Sequence, residues 1–198
     1  LWGTVLGALV GAWPTDRLGR KWTLFWIGIF YFVSAVWSGL AYGPIDFWIA
    51  RFIGGLGVGA ATVCAPLYIS EISPPRWRGR LAGLFQFNIV FGILVAFGSN
   101  AALAGVSEHD WRWMLGVEAI PAFFYTLLCL TIPESPRWLI ARKHDLKKGL
   151  AVLERISPHE SPKQIAELAD QIAAASKEST ASEPFFTSRL RRPIFLAI

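Results

Sequence analysis

Four stretches of this chain, residues 22–42, 47–69, 81–106 and 113–132, run with almost no charge, each for about twenty residues. In lipid every backbone polar group has to be satisfied within the protein, so a single apolar segment of that length crosses only as a helix. The expected fold class is therefore an all-α membrane protein. Composition agrees: 54% of the 198 residues are hydrophobic, 17% are charged and the mean hydropathy is +0.43, which is too apolar for an ordinary soluble domain. Two further apolar runs are incomplete. Residues 1–13 are short and lack an initiator Met, and residues 193–198 begin a run that stops, so the chain is expected to be cut inside helices at both ends.

The net charge of +5 invites a nucleic-acid reading, and the placement of the cations argues against it. Arg17, Arg20 and Lys21 lie in the first connection, Arg76, Arg78 and Arg80 in the third, and eleven more follow the last complete span. The alternate connections, 43–46 and 107–112, hold only Arg112. Such alternation follows the positive-inside rule, which places the first connection and everything after Ile132 in the cytoplasm. In that first connection Pro14 is expected to help end one helix and Gly19 to permit the tight turn. Cys64 and Cys129 fall inside spans, without disulfide or metal spacing, and read as small packing residues. No nucleophile–base constellation, metal cluster or cofactor motif is visible, so neither an enzyme nor a metal or cofactor is expected.

The segment after the spans is patterned. Leu139, Leu146, Leu150 and Leu153 share one helical face, and Ile165, Leu168 and Ile172 another, which predicts two amphipathic cytosolic helices. Ser161, Pro162 and Gln164 read as the cap, first residue and capping-box partner of the second. From Ala173 to Thr187 the composition predicts a flexible tether. A passive linker is the plainer reading of the whole segment, but it would not need the apolar faces. Within the membrane, Gly3, Gly7 and Gly11, and then Gly55 and Gly59, repeat at the spacing that lets helix backbones approach closely. The glycines of 54–59 mimic a nucleotide loop but sit in an apolar run without a strand, which rules that motif out.

Arg51 and Glu118 are the two ionisable residues inside the complete spans. At ~1.5 Å per residue they lie about 6 and about 8 Å past their segment starts, at a depth where they pair or, alternatively, snorkel to the outer interface. Facing a water-filled cavity, such a pair would suit a proton relay. Gln86, Ile89 and Ile93 share a helical face that presents one amide between apolar surfaces, which suits a polyhydroxylated ligand. An interhelical hydrogen bond from Gln86 is the structural alternative.

The stretch GAWPTDRLGRK at 11–21 resembles the cytoplasmic signature between the second and third helices of the major facilitator superfamily. RFIGGLGVG at 51–59, PLYISEISP at 66–74 with Arg78 and Gly79, and PESPRW at 133–138 resemble, in order, the motifs of its sugar porter family. The resemblance covers essentially the whole chain. It implies a bundle of the major facilitator type, with helices two to six of an N-terminal half in residues 1–132, a cytosolic linker in 133–192 and the start of the seventh helix in 193–198. The missing C-terminal half would be the chain's partner. By the same resemblance Gln86, with Ile89 and Ile93 beside it, contacts sugar, Arg51 and Glu118 relate to proton coupling, and Asp16, Arg17, Arg20, Glu71, Arg78, Glu134 and Arg137 form a cytoplasmic latch between the halves. Simple topology anchoring explains those cations but not the interleaved acids.

The function so implied is transport of a hexose or pentose across a cell membrane, plasma or inner, by alternating access, with or without a coupled proton. A transporter of polyols or organic ions, and a sugar sensor without net transport, are the competing readings.

Overall fold

The computed structural model describes residues 1–74, 76–105, 109–158 and 161–180. Among them all regular structure is helical: α1 (Trp2–Leu18), α2 (Arg20–Leu40), α3 (Pro44–Ile72), α4 (Arg78–Leu103), α5 (Asp110–Gly116), α6 (Ala119–Thr131), α7 (Pro136–Ala141), α8 (Leu146–Ile156) and α9 (Pro162–Thr180). Among the described residues four spans are long and apolar enough to cross a bilayer, α2, α3, α4 and α5 with α6 together. The 193–198 run and the end of the expected tether lie outside the described residues.

The glycine repeats explain how α1 meets α3. A Cβ added at Gly3 or Gly7 would overlap the Phe52 or Leu56 carbonyl, and one at Gly59 would overlap the backbone of Thr4 and Ala8. At Gly11 it would stand 2.8 Å from the Ala60 Cα. Two backbones this close gain dispersion contacts along their whole length, which replaces the hydrophobic driving force that lipid withholds. On its other side α3 packs against α2, which in turn carries α5 and α6. The buried core sits where α2, α3 and α6 meet, built on Leu24, Ile27, Cys64, Tyr68 and Cys129. Both cysteines are free and buried there, as packing residues. Outward, large apolar side chains cover the bundle, and no residue of α4 is buried. That inversion is stable only in lipid or against other helices.

Two local expectations in the spans need correction. Pro14 lies inside α1 and does not end it. A proline within a helix removes one hydrogen bond, but α1 is held along α3 on both sides of it, and the buried Thr15 hydroxyl donates to the Gly11 carbonyl at 2.7 Å. The connection to α2 is therefore Gly19 alone, at a φ of 95° that favours glycine. The last span, in contrast, is broken between α5 and α6 at Val117 and Glu118. Pro121 has no N–H for the Val117 carbonyl, which instead accepts from the Ile120 amide at 3.1 Å.

After the spans there are three helices where two were expected. Leu139 belongs to the short α7, cut off by a turn in which His144 adopts φ 53°. Its neighbour Ile140 packs with Leu153, Ile165 and Ala169 into a small second core. Asp145 caps α8 by accepting from the Lys148 amide, and its hydrogen bond with the Lys148 side chain holds its carboxyl below the usual range. The expected capping box is present: the Ser161 amide donates to Gln164 Oε1 at 2.9 Å and the Gln164 amide to Ser161 Oγ at 3.4 Å. The helix it starts runs to Thr180, past the expected start of the tether at Ala173. Alanine, lysine and glutamate are good helix formers, and Ala169, Ile172 and Ala173 all take part in the packing.

A leucine at Gly7 would force α1 away from α3. We expect Gly7→Leu to lose about 3 kcal/mol, the upper end of overpacking penalties, read as a lower melting temperature of the full-length protein in detergent. Unchanged melting would contradict the close backbone contact.

Candidate functional site

At the basic end of the bundle the expected charge cluster assembles around one buried pair. Arg20, the first residue of α2, directs Nε and Nη2 at the two carboxylate oxygens of Glu71, near the end of α3, at 2.9 and 3.0 Å. The side chains are only 9% and 4% exposed, so this is a two-pronged, charge-assisted contact held out of water. Glu71 Oε2 also accepts from the Ser135 hydroxyl at 2.6 Å, and Arg20 Nη1 donates to the Thr15 carbonyl at 3.2 Å. Asp16 extends the network, with one carboxylate oxygen 3.4 Å from Arg20 and the other 3.5 Å from Arg142. Its backbone carbonyl accepts from the Trp138 indole at 2.8 Å, which ties α1 to α7.

Glu134 joins differently. Its carboxylate faces a helix N-terminus rather than a cation: Oε1 accepts from the Lys21 amide at 3.0 Å and the Ser135 amide at 2.9 Å. No side chain of the α2 cap position satisfies those first N–H groups, and a carboxylate there also opposes the positive end of the helix dipole. A Cβ on Gly19 would strike this carboxylate, so the turn glycine and the acid are matched. Lys21 completes the joint by donating Nζ to the Leu130 carbonyl, in the last turn of α6, at 2.8 Å.

Not every expected member is drawn in. Arg17 sits over the Trp13 ring at 4.6 Å, away from the acids. Arg78 and Arg137 line a groove with Glu71 but form no ion pair among the described residues. Four contributors are absent from the expected latch: Lys21, Ser135, Trp138 and Arg142. Ser135 had a signal, because a serine before Pro136 reads as a helix cap, and it does accept from the Trp138 amide at 3.2 Å. Arg142 had none, since its contact depends on how α7 folds back on α1.

At the opposite end of the bundle Arg51 Nη1 stands 3.4 Å from Glu118 Oε2, so the two intramembrane charges do meet. Their side chains are 44% and 49% exposed, and Glu118 occupies the break ahead of Pro121. The carboxylate is thereby placed on a local irregularity with an open side. Gln86, Ile89 and Ile93 lie on the exposed surface of α4, and Gln86 makes no hydrogen bond among the described residues.

Known proteins place this arrangement. The family described as "Sugar (and other) transporter" matches residues 1–198. A "Glucose transport protein" of Synechocystis is 42% identical over 180 residues, covering 85% of this chain and 38% of that protein. A "D-xylose transporter" of Levilactobacillus brevis is 36% identical over 201 residues, covering all of this chain and 43% of that protein. Among solved structures, the proton:xylose symporter XylE bound to 6-bromo-6-deoxy-D-glucose aligns with a TM-score of 0.84 at 28% identity, covering 91% of this chain and 42% of that one. The chain thus spans about two fifths of the length of these two relatives. Helices of the spanning kind, the ordered motifs and a family match along the full chain agree: this is a multi-pass membrane protein of the sugar transporter family within the major facilitator superfamily.

Proposed function

We propose that the protein to which this chain belongs moves a monosaccharide or a related polyol across a cell membrane by alternating access, without covalent chemistry. The observation that carries the reading is the family match along the whole chain, with relatives named as glucose, xylose and inositol transporters. In this reading residues 1–132 are helices two to six of the N-terminal bundle, 133–192 form a cytoplasmic linker and 193–198 begin the seventh helix. The basic end then faces the cytoplasm, in keeping with the positive-inside rule.

Gln86 is the proposed sugar contact, with Ile89 and Ile93 as its apolar flanks. An amide both donates and accepts, as adjacent hydroxyls require. Arg51 and Glu118 are the proposed proton-coupling pair. The two charges touch, and the half-open position of Glu118 gives protons a route to its carboxylate. The proposed latch consists of Asp16, Arg17, Arg20, Glu71, Arg78, Glu134 and Arg137. It divides into a frame, Arg20 with Asp16, Glu71 and Glu134, and outlying cations, Arg17, Arg78 and Arg137, free to meet acids of the other half. Exposed links of that kind contribute about 1 kcal/mol or less each, enough to bias a two-state equilibrium.

The decisive experiment is uptake of labelled glucose, xylose and myo-inositol by the full-length protein in proteoliposomes, with and without a pH gradient. Flux of at least one is expected; none under any condition would favour a sensor or another substrate. Gln86→Ala should weaken sugar binding about fivefold, the equivalent of one lost hydrogen bond, and equal affinity would remove it from the site. Glu118→Gln should abolish the response of uptake to the gradient if the wild type shows one; a full response would exclude an essential role. For the frame, Arg20→Ala should destabilise by about 3–5 kcal/mol because it strands Glu71 out of water. Ser135→Ala should lower stability by about 2 kcal/mol through the lost cap and carboxylate contact. Melting curves that match the wild type would refute the frame.

A further inference from the structure

A groove of about 300 Å³ opens at the basic end, between the last turn of α3, the start of α4, and helices α7, α8 and α9. Leu153, Ile156, Leu168 and Ile172 give it apolar walls, and Arg78 and Arg137 stand along it. Glu71 also faces the groove, but its carboxylate is engaged by both prongs of Arg20 and by the Ser135 hydroxyl. Neither Arg78 nor Arg137 has an acid partner among the described residues. Gln171, Ser157, Ser70 and Ser73 add to the polar lining.

Two guanidiniums over an apolar recess are complementary to an anion that carries an organic body. A phosphate fits the donors better than a carboxylate, because its several acceptor oxygens engage two planar forks at once. We propose that this groove binds a small soluble organic phosphate, of the size of a phosphorylated monosaccharide, from the side of α8 and α9. The volume lies at the lower end of small-molecule sites. Much of the apolar wall comes from α8 and α9, which lie beyond the spanning helices, so a soluble ligand is favoured over a lipid headgroup. The consequence, which rests on the transport reading, is regulation. Arg78 and Arg137 are the cations proposed to reach the other half of the transporter, and a ligand that occupies them withdraws them from that contact.

The test uses full-length protein in neutral phosphatidylcholine nanodiscs, titrated calorimetrically with glucose 6-phosphate. Binding is expected, and it should persist when glucose saturates the sugar site. Gln171→Glu, which introduces a carboxylate into the groove, should weaken it about tenfold by like-charge repulsion. Absent binding, displacement by glucose, undiminished affinity in Gln171→Glu, or binding only with anionic phospholipid in the disc would overturn the site. Retained phosphate binding in a protein that moves no sugar would support the site while refuting the transport reading.

Discussion

The Arg20–Glu71 pair decides the geometry of the basic end. A guanidinium and a carboxylate withdrawn from water are tolerable only when nearly all their hydrogen-bonding capacity is met. Glu71 accordingly receives two prongs and a hydroxyl, while Arg20 also reaches the Thr15 carbonyl. Each of those partners belongs to a different piece of chain. Meeting the requirements of one ion pair therefore fixes the end of α1, the start of α2, the end of α3 and the start of α7 relative to one another. Glu134 and Lys21 add the end of α6 to the same joint.

Further into the bilayer, the constraint changes character. There the alternative to a helix contact is lipid, which is as apolar as the side chains, so shape replaces hydrophobicity as the source of cohesion. Glycines on α1 and α3 supply that shape, and the contact they permit runs most of the length of α1. At the far end the Arg51–Glu118 contact is longer and half open. One end of the bundle is thus closed around satisfied charges, while the other keeps a charge pair accessible.

Legibility in the sequence followed the range of the interactions. The spans, the glycine repeats and the Ser161 capping box depend on neighbours a few residues apart, and all were readable. Pro14 was misjudged because local propensity predicts a stop, whereas packing along α3 carries the helix past it. The break at Glu118 had a local cause in Pro121 that a count of apolar residues passes over. Depth left two readings of Arg51 and Glu118 open, pairing and snorkelling, and the contact between them needed the fold to decide it. Glu134 was recognised as a member of the cluster but not in its role, because capping α2 from a distant loop depends on a tertiary fold. Arg142 and Trp138 were invisible for the same reason.

The division between satisfied and unpaired charges bears on how such a bundle could switch. Separating Arg20 from Glu71 would leave buried charges without partners, a penalty of several kcal/mol that a rocking motion near equilibrium would have to meet in every cycle. A switch built on that pair would be slow or fixed in one state. Arg78 and Arg137 stand outside it, exposed and without acid partners among the described residues. Contacts made by exposed guanidiniums form and break at a cost near thermal energy. The buried pair is consequently suited to hold the ends of these helices rigidly together, and the outer arginines to contacts that form and break.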